Sequence, residues 1–134
     1  MDSILNIALT GSMVIYLVSL TQKCFCTGNG HCGDSIAVAL TGWLGIASYP
    51  FAIPWLANPF LFASWYFVGN PKLSLSYALI AFLLSVSFLL VKEIITDGSG
   101  IWRKITGYKA GYWLWVLSCF VFLVGHLIHM FVGN

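Results

Sequence analysis

The 134 residues include only six Lys or Arg and four Asp or Glu, against 60% hydrophobic residues and a mean hydropathy of +0.92. Ordinary soluble domains are about one quarter charged, so a chain this poor in charge lacks the polar surface to cover a core in water. A formal charge of +2 without a basic run excludes nucleic acid as a partner, and the length allows one bundle and no separate soluble domain.

In chain order, the first apolar block runs from Ser3 to Leu20, about the minimum that spans a bilayer. Asp2 precedes it where a signal peptide would carry Lys or Arg, and no clear cleavage site follows, so it is expected to stay as the first helix. A polar loop, 21–34, holds Cys24, Cys26 and Cys32. The second block, 35–69, is uncharged but too long for one simple span and slightly short for two. Pro50, Pro54 and Pro59 break it, and Asn58 before Pro59 reads as an N-cap with proline at the first helical position. The third block, 73–91, and the fourth, 112–132, flank a second polar loop, 92–111. The expected fold is therefore all-α: one integral membrane helical bundle of four transmembrane helices with a Pro-broken second segment.

Small residues recur at helical spacing. Ser74, Ala78, Ala81 and Ser85 share one face of the third block, and Ala37, Thr41 and Gly45, with Gly42 nearby, mark the second. Such faces let membrane helices approach closely and are expected to serve internal packing. Trp55, Trp65, Trp102, Trp113 and Trp115 lie mostly near predicted helix ends, as an interfacial belt would.

Topology and redox state are linked. If block 35–69 crosses once, both polar loops lie on one face of a four-crossing bundle; if twice, on opposite faces. For four crossings, Lys23, Lys92, Arg103, Lys104 and Lys109, against Lys72 alone on the other side, argue for cytoplasmic loops. Three cysteines in a short loop argue for an exported disulfide. For five crossings the charge and cysteine cues agree, whereas length favours four. The orientation stays open at this point.

Four groups of residues are candidates for chemistry. Cys24, Cys26 and Cys32 suit a disulfide, Cys32 pairing with Cys24 or Cys26, or a redox pair handing electrons to a quinone. With His31 the same residues make a Cys₃His set for zinc, though their spacing is not the usual C-x₂-C. Cys119, alone in the fourth block, reads as an apolar filler. His126 and His129, three apart in the fourth block, could bind metal or haem or relay protons, with headgroup contact or an interhelical hydrogen bond the favoured reading. Asn6 and Asn58 are the main other polar side chains of the blocks. No Asp, Glu, Lys or Arg lies within a block, so an ion-coupled transporter has no evident coupling residue, and no nucleophile–base pair is recognisable.

Gly42–Trp43–Leu44–Gly45, Trp55–Leu56–Ala57–Asn58–Pro59, and Thr106–Gly107–Tyr108 leading into Gly111–Tyr112–Trp113–Leu114–Trp115 resemble the uncharacterised small multi-pass proteins of bacterial inner membranes. The resemblance implies the architecture and a bacterial inner-membrane location, and brings no catalytic or ligand residues with it. The expected function is non-catalytic, with no resident cofactor. It is that of a small membrane protein acting through helix contacts as subunit, regulator or protective factor, with a membrane protein or its own copy as partner. Alternatives are a membrane thiol–disulfide oxidoreductase using the 24–32 loop, and a pore formed by oligomerisation.

Overall fold

A computed structural model describes residues 3–28, 30, 32–41, 50–95 and 102–132. Helix α1 (Ser3–Ser19) leads into strand β1 (Lys23–Thr27), β2 (Cys32–Asp34) and a short helix α2 (Ser35–Thr41). A 3₁₀ segment (Pro50–Leu56) runs directly into α3 (Ala57–Tyr66), followed by α4 (Pro71–Ser87), with a 3₁₀ turn at Phe88–Leu90. Strands β3 (Glu93–Ile95) and β4 (Trp102–Tyr108) precede the last helix, α5 (Ala110–Val132).

The fold is mostly helical, and among the described residues two helices are long and apolar enough to cross a membrane: Pro71–Leu90, mean hydropathy 2.2, and Ala110–Val132, mean hydropathy 2.1. Only 22% and 33% of the residues in their most apolar stretches are buried, unlike the core helices of a soluble protein. Leu83 at 58% exposed, Phe131 at 78% and Ile7 at 72% would be an unsustainable apolar surface in water. Helix α1 is apolar but shorter, at 17 residues.

An all-α fold is not what the chain adopts. The two expected polar loops pair with each other in a four-stranded antiparallel sheet, order β2-β1-β4-β3. Cys26 lies opposite Cys32 across β1–β2, and Phe25 lies opposite Tyr108 across β1–β4. Main-chain bonds lock the join: Gly28 N–H donates to the Lys104 carbonyl (2.8 Å) and Lys109 N–H to that of Cys24 (2.9 Å). Beneath the sheet, Phe25, Phe88, Tyr108 and Tyr112 stack at centroid distances of 4.8–5.9 Å, tying it to the ends of α4 and α5.

The second block also departs from expectation. Asn58 is not an N-cap: the 3₁₀ turn enters α3 directly, and the residue before the helix, Leu56, is itself in helical conformation and makes no side-chain cap bond. Pro54 sits inside the 3₁₀ segment, which tolerates it at the start of a helical run. The N-cap with proline next to it occurs one element later. Asn70 is extended, accepts from Leu73 N–H (3.4 Å) and precedes Pro71, so α4 begins earlier than the expected Leu73.

Helices α1 and α5 run antiparallel in close contact. A Cβ on Gly125 would come 2.3 Å from the Ala8 Cβ, well inside van der Waals distance. Gly125→Ala is therefore expected to overpack this seam and cost about 1–3 kcal/mol. Ala8→Gly in the same chain should recover most of that loss. Thermal unfolding of the four variants in mild detergent checks it, and additive losses would contradict the contact.

Candidate functional site

Six buried polar side chains of the described helices, Ser12, Ser118, Ser64, Ser74, His126 and Asn58, are gathered into three interhelical clusters. Ser12 on α1 and Ser118 on α5 face each other, Oγ to Oγ 3.0 Å. The Ser12 hydroxyl lies 2.9 Å from the Ser118 carbonyl and the Ser118 hydroxyl 2.8 Å from that of Ser12, so each serine bonds the partner helix's backbone. Trp65 of α3 donates its indole N–H to Ser12 Oγ at 3.1 Å.

The same device joins α3 to α4. Ser64 Oγ lies 2.8 Å from the Ser74 carbonyl and Ser74 Oγ 2.7 Å from the Ser64 carbonyl. His126 of α5 contacts Ser74 Oγ through Nε2 at 2.8 Å. A hydroxyl has one proton. With that of Ser74 on the Ser64 carbonyl, Ser74 can only accept from the imidazole, which assigns the ring proton to Nε2. His126 is 2% exposed and packs edge-on to Phe122, so its side chain faces the interior of the bundle. His129, one turn further along α5, is half-buried.

Asn58 is the third centre. Its Oδ1 accepts from the Tyr16 hydroxyl of α1 and the Trp115 indole of α5, both at 2.9 Å. One 5%-exposed amide on α3 therefore holds two other helices. Ser74, Ala78, Ala81 and Ser85 are all fully buried, along the face of α4 that meets α3 and α5. Ala37 is exposed, while Gly42 and Gly45 lie outside the described residues.

The tryptophans of the expected interfacial belt divide between inward and outward positions. Trp65 and Trp115 point inward as hydrogen-bond donors, and Trp55 donates to the Ala39 carbonyl at 3.0 Å. Trp113, 50% exposed, keeps an outward position. The side chain of Trp102 lies outside the described residues.

At the sheet end, a disulfide joins Cys26 and Cys32. The Cys₃His set is thereby reduced, since a disulfide offers no thiolate to a metal; His31 lies outside the described residues. Cys24 faces into the core beneath the sheet, 7% exposed, and Cys119 is fully buried. Burial pushes the Cys24 thiol from 9.0 up to about 11, with the Ser35 hydroxyl pulling weakly the other way. A thiol so rarely ionised at neutral pH is a poor nucleophile toward the neighbouring disulfide.

Asn58→Leu is expected to strand the Tyr16 hydroxyl and the Trp115 N–H and to cost about 1–3 kcal/mol. Tyr16→Phe should then add little in that background though it costs stability alone, a cycle measurable by SDS titration of the purified protein. For the thiols, a maleimide should leave the native protein unlabelled. In SDS it should label Cys24 and Cys119, and only with reductant all four cysteines. Because its folded pKa is raised, Cys24 contributes stability below pH 9 that is lost between pH 9 and about 11. Cys24→Ala should lack that part of the alkaline loss. Comparison with known protein families, with curated proteins and with solved structures finds no match, so function has to be read from this arrangement itself.

Proposed function

We propose that the protein is a small multi-pass membrane protein of the bacterial inner membrane that acts without catalysis, through helix contacts, as subunit, regulator or protective factor of a larger membrane system. The observation that carries this is the commitment of the polar groups buried between its helices. Ser12, Ser118, Ser64, Ser74, His126, Asn58 and Tyr16 bond one another across helices, in contacts that hold the bundle together. A substrate site needs polar groups held apart and facing a cavity. The apolar exteriors of α4 and α5 face lipid or a partner helix.

Four crossings are supported by the sheet. Because β1 and β4 are neighbours, the loops after α1 and before α5 end on one side, which requires an even number of crossings between them. The run from α2 through the 3₁₀ segment to α3 then crosses once, and α4 returns. The same pairing puts Lys23, Lys92, Lys104 and Lys109 on the side that holds the disulfide, so charge and redox cues compete directly. We give the disulfide precedence and orient the sheet to the exported, oxidising side. A reducing cytosol would open the bond, whereas the basic bias is a tendency. It is also blunted here, with Lys23 paired to Asp34 at 2.6 Å and Lys104 opposite Glu93 in register.

The thiol oxidoreductase remains the second reading, because the Cys26–Cys32 bond sits at the edge of the sheet and would face the oxidising side. If Cys26→Ser and Cys32→Ser leave cellular disulfide formation unchanged, it fails.

Impermeant maleimide–PEG on intact cells tests the main proposal. Thr106→Cys should label from outside and Asn70→Cys only after permeabilisation, the native cysteines being buried or bonded. Labelling of both from one side would refute four crossings. Turnover of a thiol, lipid or quinone by the purified protein alone would refute the non-catalytic reading.

A further inference from the structure

Helix α1 buries one stripe, Leu5, Ala8, Ser12, Tyr16 and Ser19. At 3.6 residues per turn the opposite side carries Ser3, Asn6, Thr10 and Leu17, all exposed. Two of these are out of place in hydrocarbon. Neither the Asn6 amide nor the Thr10 hydroxyl makes a side-chain hydrogen bond among the described residues.

Their depth follows from the α1–α5 register. Ser12 lies beside Ser118 and Ala8 beside Gly125, which sets Asn6 level with Leu127. Ile128, His129, Met130, Phe131 and Val132 still lie beyond it on α5, so on the membrane reading Asn6 falls more than one helical turn inside the end of that apolar span. Elsewhere the outward faces are apolar, with Leu79, Ile80 and Leu83 on α4 and Leu117, Phe120 and Leu127 on α5. The exposed Ser76 satisfies itself on the Lys72 carbonyl at 3.0 Å. An amide facing lipid tails has no such outlet and is costly to leave unpaired.

We propose that this face of α1 is a homodimer interface, on which a second copy of the chain lays its own α1. The proposal rests on the reading that the protein works through helix contacts. The occupant follows from symmetry. Copies inserted in the same direction, related by a two-fold axis normal to the membrane, bring each residue level with its own counterpart. In that arrangement only a side chain that both donates and accepts can satisfy itself, and an amide and a hydroxyl do both. Asn6 then meets Asn6 of the second copy, and Thr10 meets Thr10. An open apolar groove of about 500 Å³ between α1 and α5 adjoins this face and includes Ile7 and Gly11, giving the second copy's side chains a place to seat.

Two measurements test it on the full chain. A photo-crosslinking residue at Thr10, introduced in cells, should give a product of twice the 14.8 kDa chain, while the same residue at Leu83 on the outer face of α4 should not. A doubled product from both positions, or none from either, overturns the proposal. Crosslinking of Thr10 to a different protein also overturns it, yet leaves the helix-contact reading standing. In lipid vesicles, energy transfer between labelled copies on lipid dilution should show Asn6→Leu dissociating roughly 5- to 30-fold more readily. Asn6→Gln should stay close to wild type and Ser76→Leu should have no effect. Association unchanged in Asn6→Leu overturns the assignment of the face.

Discussion

Hydrocarbon offers no hydrogen bonds, and on the proposed membrane reading the arrangement of this protein follows from that constraint. Every hydroxyl, amide or imidazole placed among lipid tails must find its partner within the protein. The bundle meets this with two matched serine pairs, Ser12–Ser118 and Ser64–Ser74, each serine reaching the opposite helix's carbonyl. Each pair then receives a ring N–H from a third helix, Trp65 onto Ser12 and His126 onto Ser74. The pairs are thereby cross-linked: Trp65 comes from the α3–α4 pair to the α1–α5 pair, and His126 goes the other way. Asn58 adds a further junction of α1, α3 and α5.

Such bonds form only where backbones come close. A serine side chain is short, so reaching a neighbour's carbonyl requires a small residue opposite it or one turn away. Gly125 against Ala8 meets that need next to Ser12–Ser118, and Ala78 and Ala81 meet it between Ser74 and Ser85 on α4. The small residues and the serines are one device, the first giving the approach and the second the bond. Interhelical hydrogen bonds in membranes average only about 0.6 kcal/mol, since the alternatives in lipid also find partners. Their value here is in register and partner choice more than in gross stability.

The mostly helical character and the apolar stretches of α4 and α5 were legible in the sequence because they follow from composition and length. The sheet was not. Lys23–Thr27 has two cysteines and Glu93–Ile95 is three residues long, so neither shows the alternation that marks a strand. Their pairing is non-local, joining β1 to a strand about 80 residues later in the chain, and turn chemistry at Gly28–Asn29–Gly30 was the single local hint. Tertiary context also overrode Asn58–Pro59, which has the composition of a helix start yet supplies a buried acceptor. Asn70–Pro71 carries the same dipeptide in the role that composition suggests, and only the presence of a preceding 3₁₀ turn separates the two cases. His126 and His129 could not be told apart by spacing. Burial and the Ser74 bond distinguish them.

The rule that explains the interior also reads the exterior. Inside the bundle, a polar group is evidence of a neighbouring helix, and for Ser12, Ser74 and Asn58 that helix is present. Asn6 and Thr10 carry the same chemistry on the side of α1 opposite the stripe it buries against the described helices. The same solvent surrounds both sets, so the physical demand is the same. The chain provides partners across helices for Ser12, Ser64, Ser74, Ser118 and Asn58, and leaves the exposed Asn6 amide without one among the described residues, so its hydrogen-bond inventory as a monomer is incomplete. Its smallest completion by symmetry is another copy of itself.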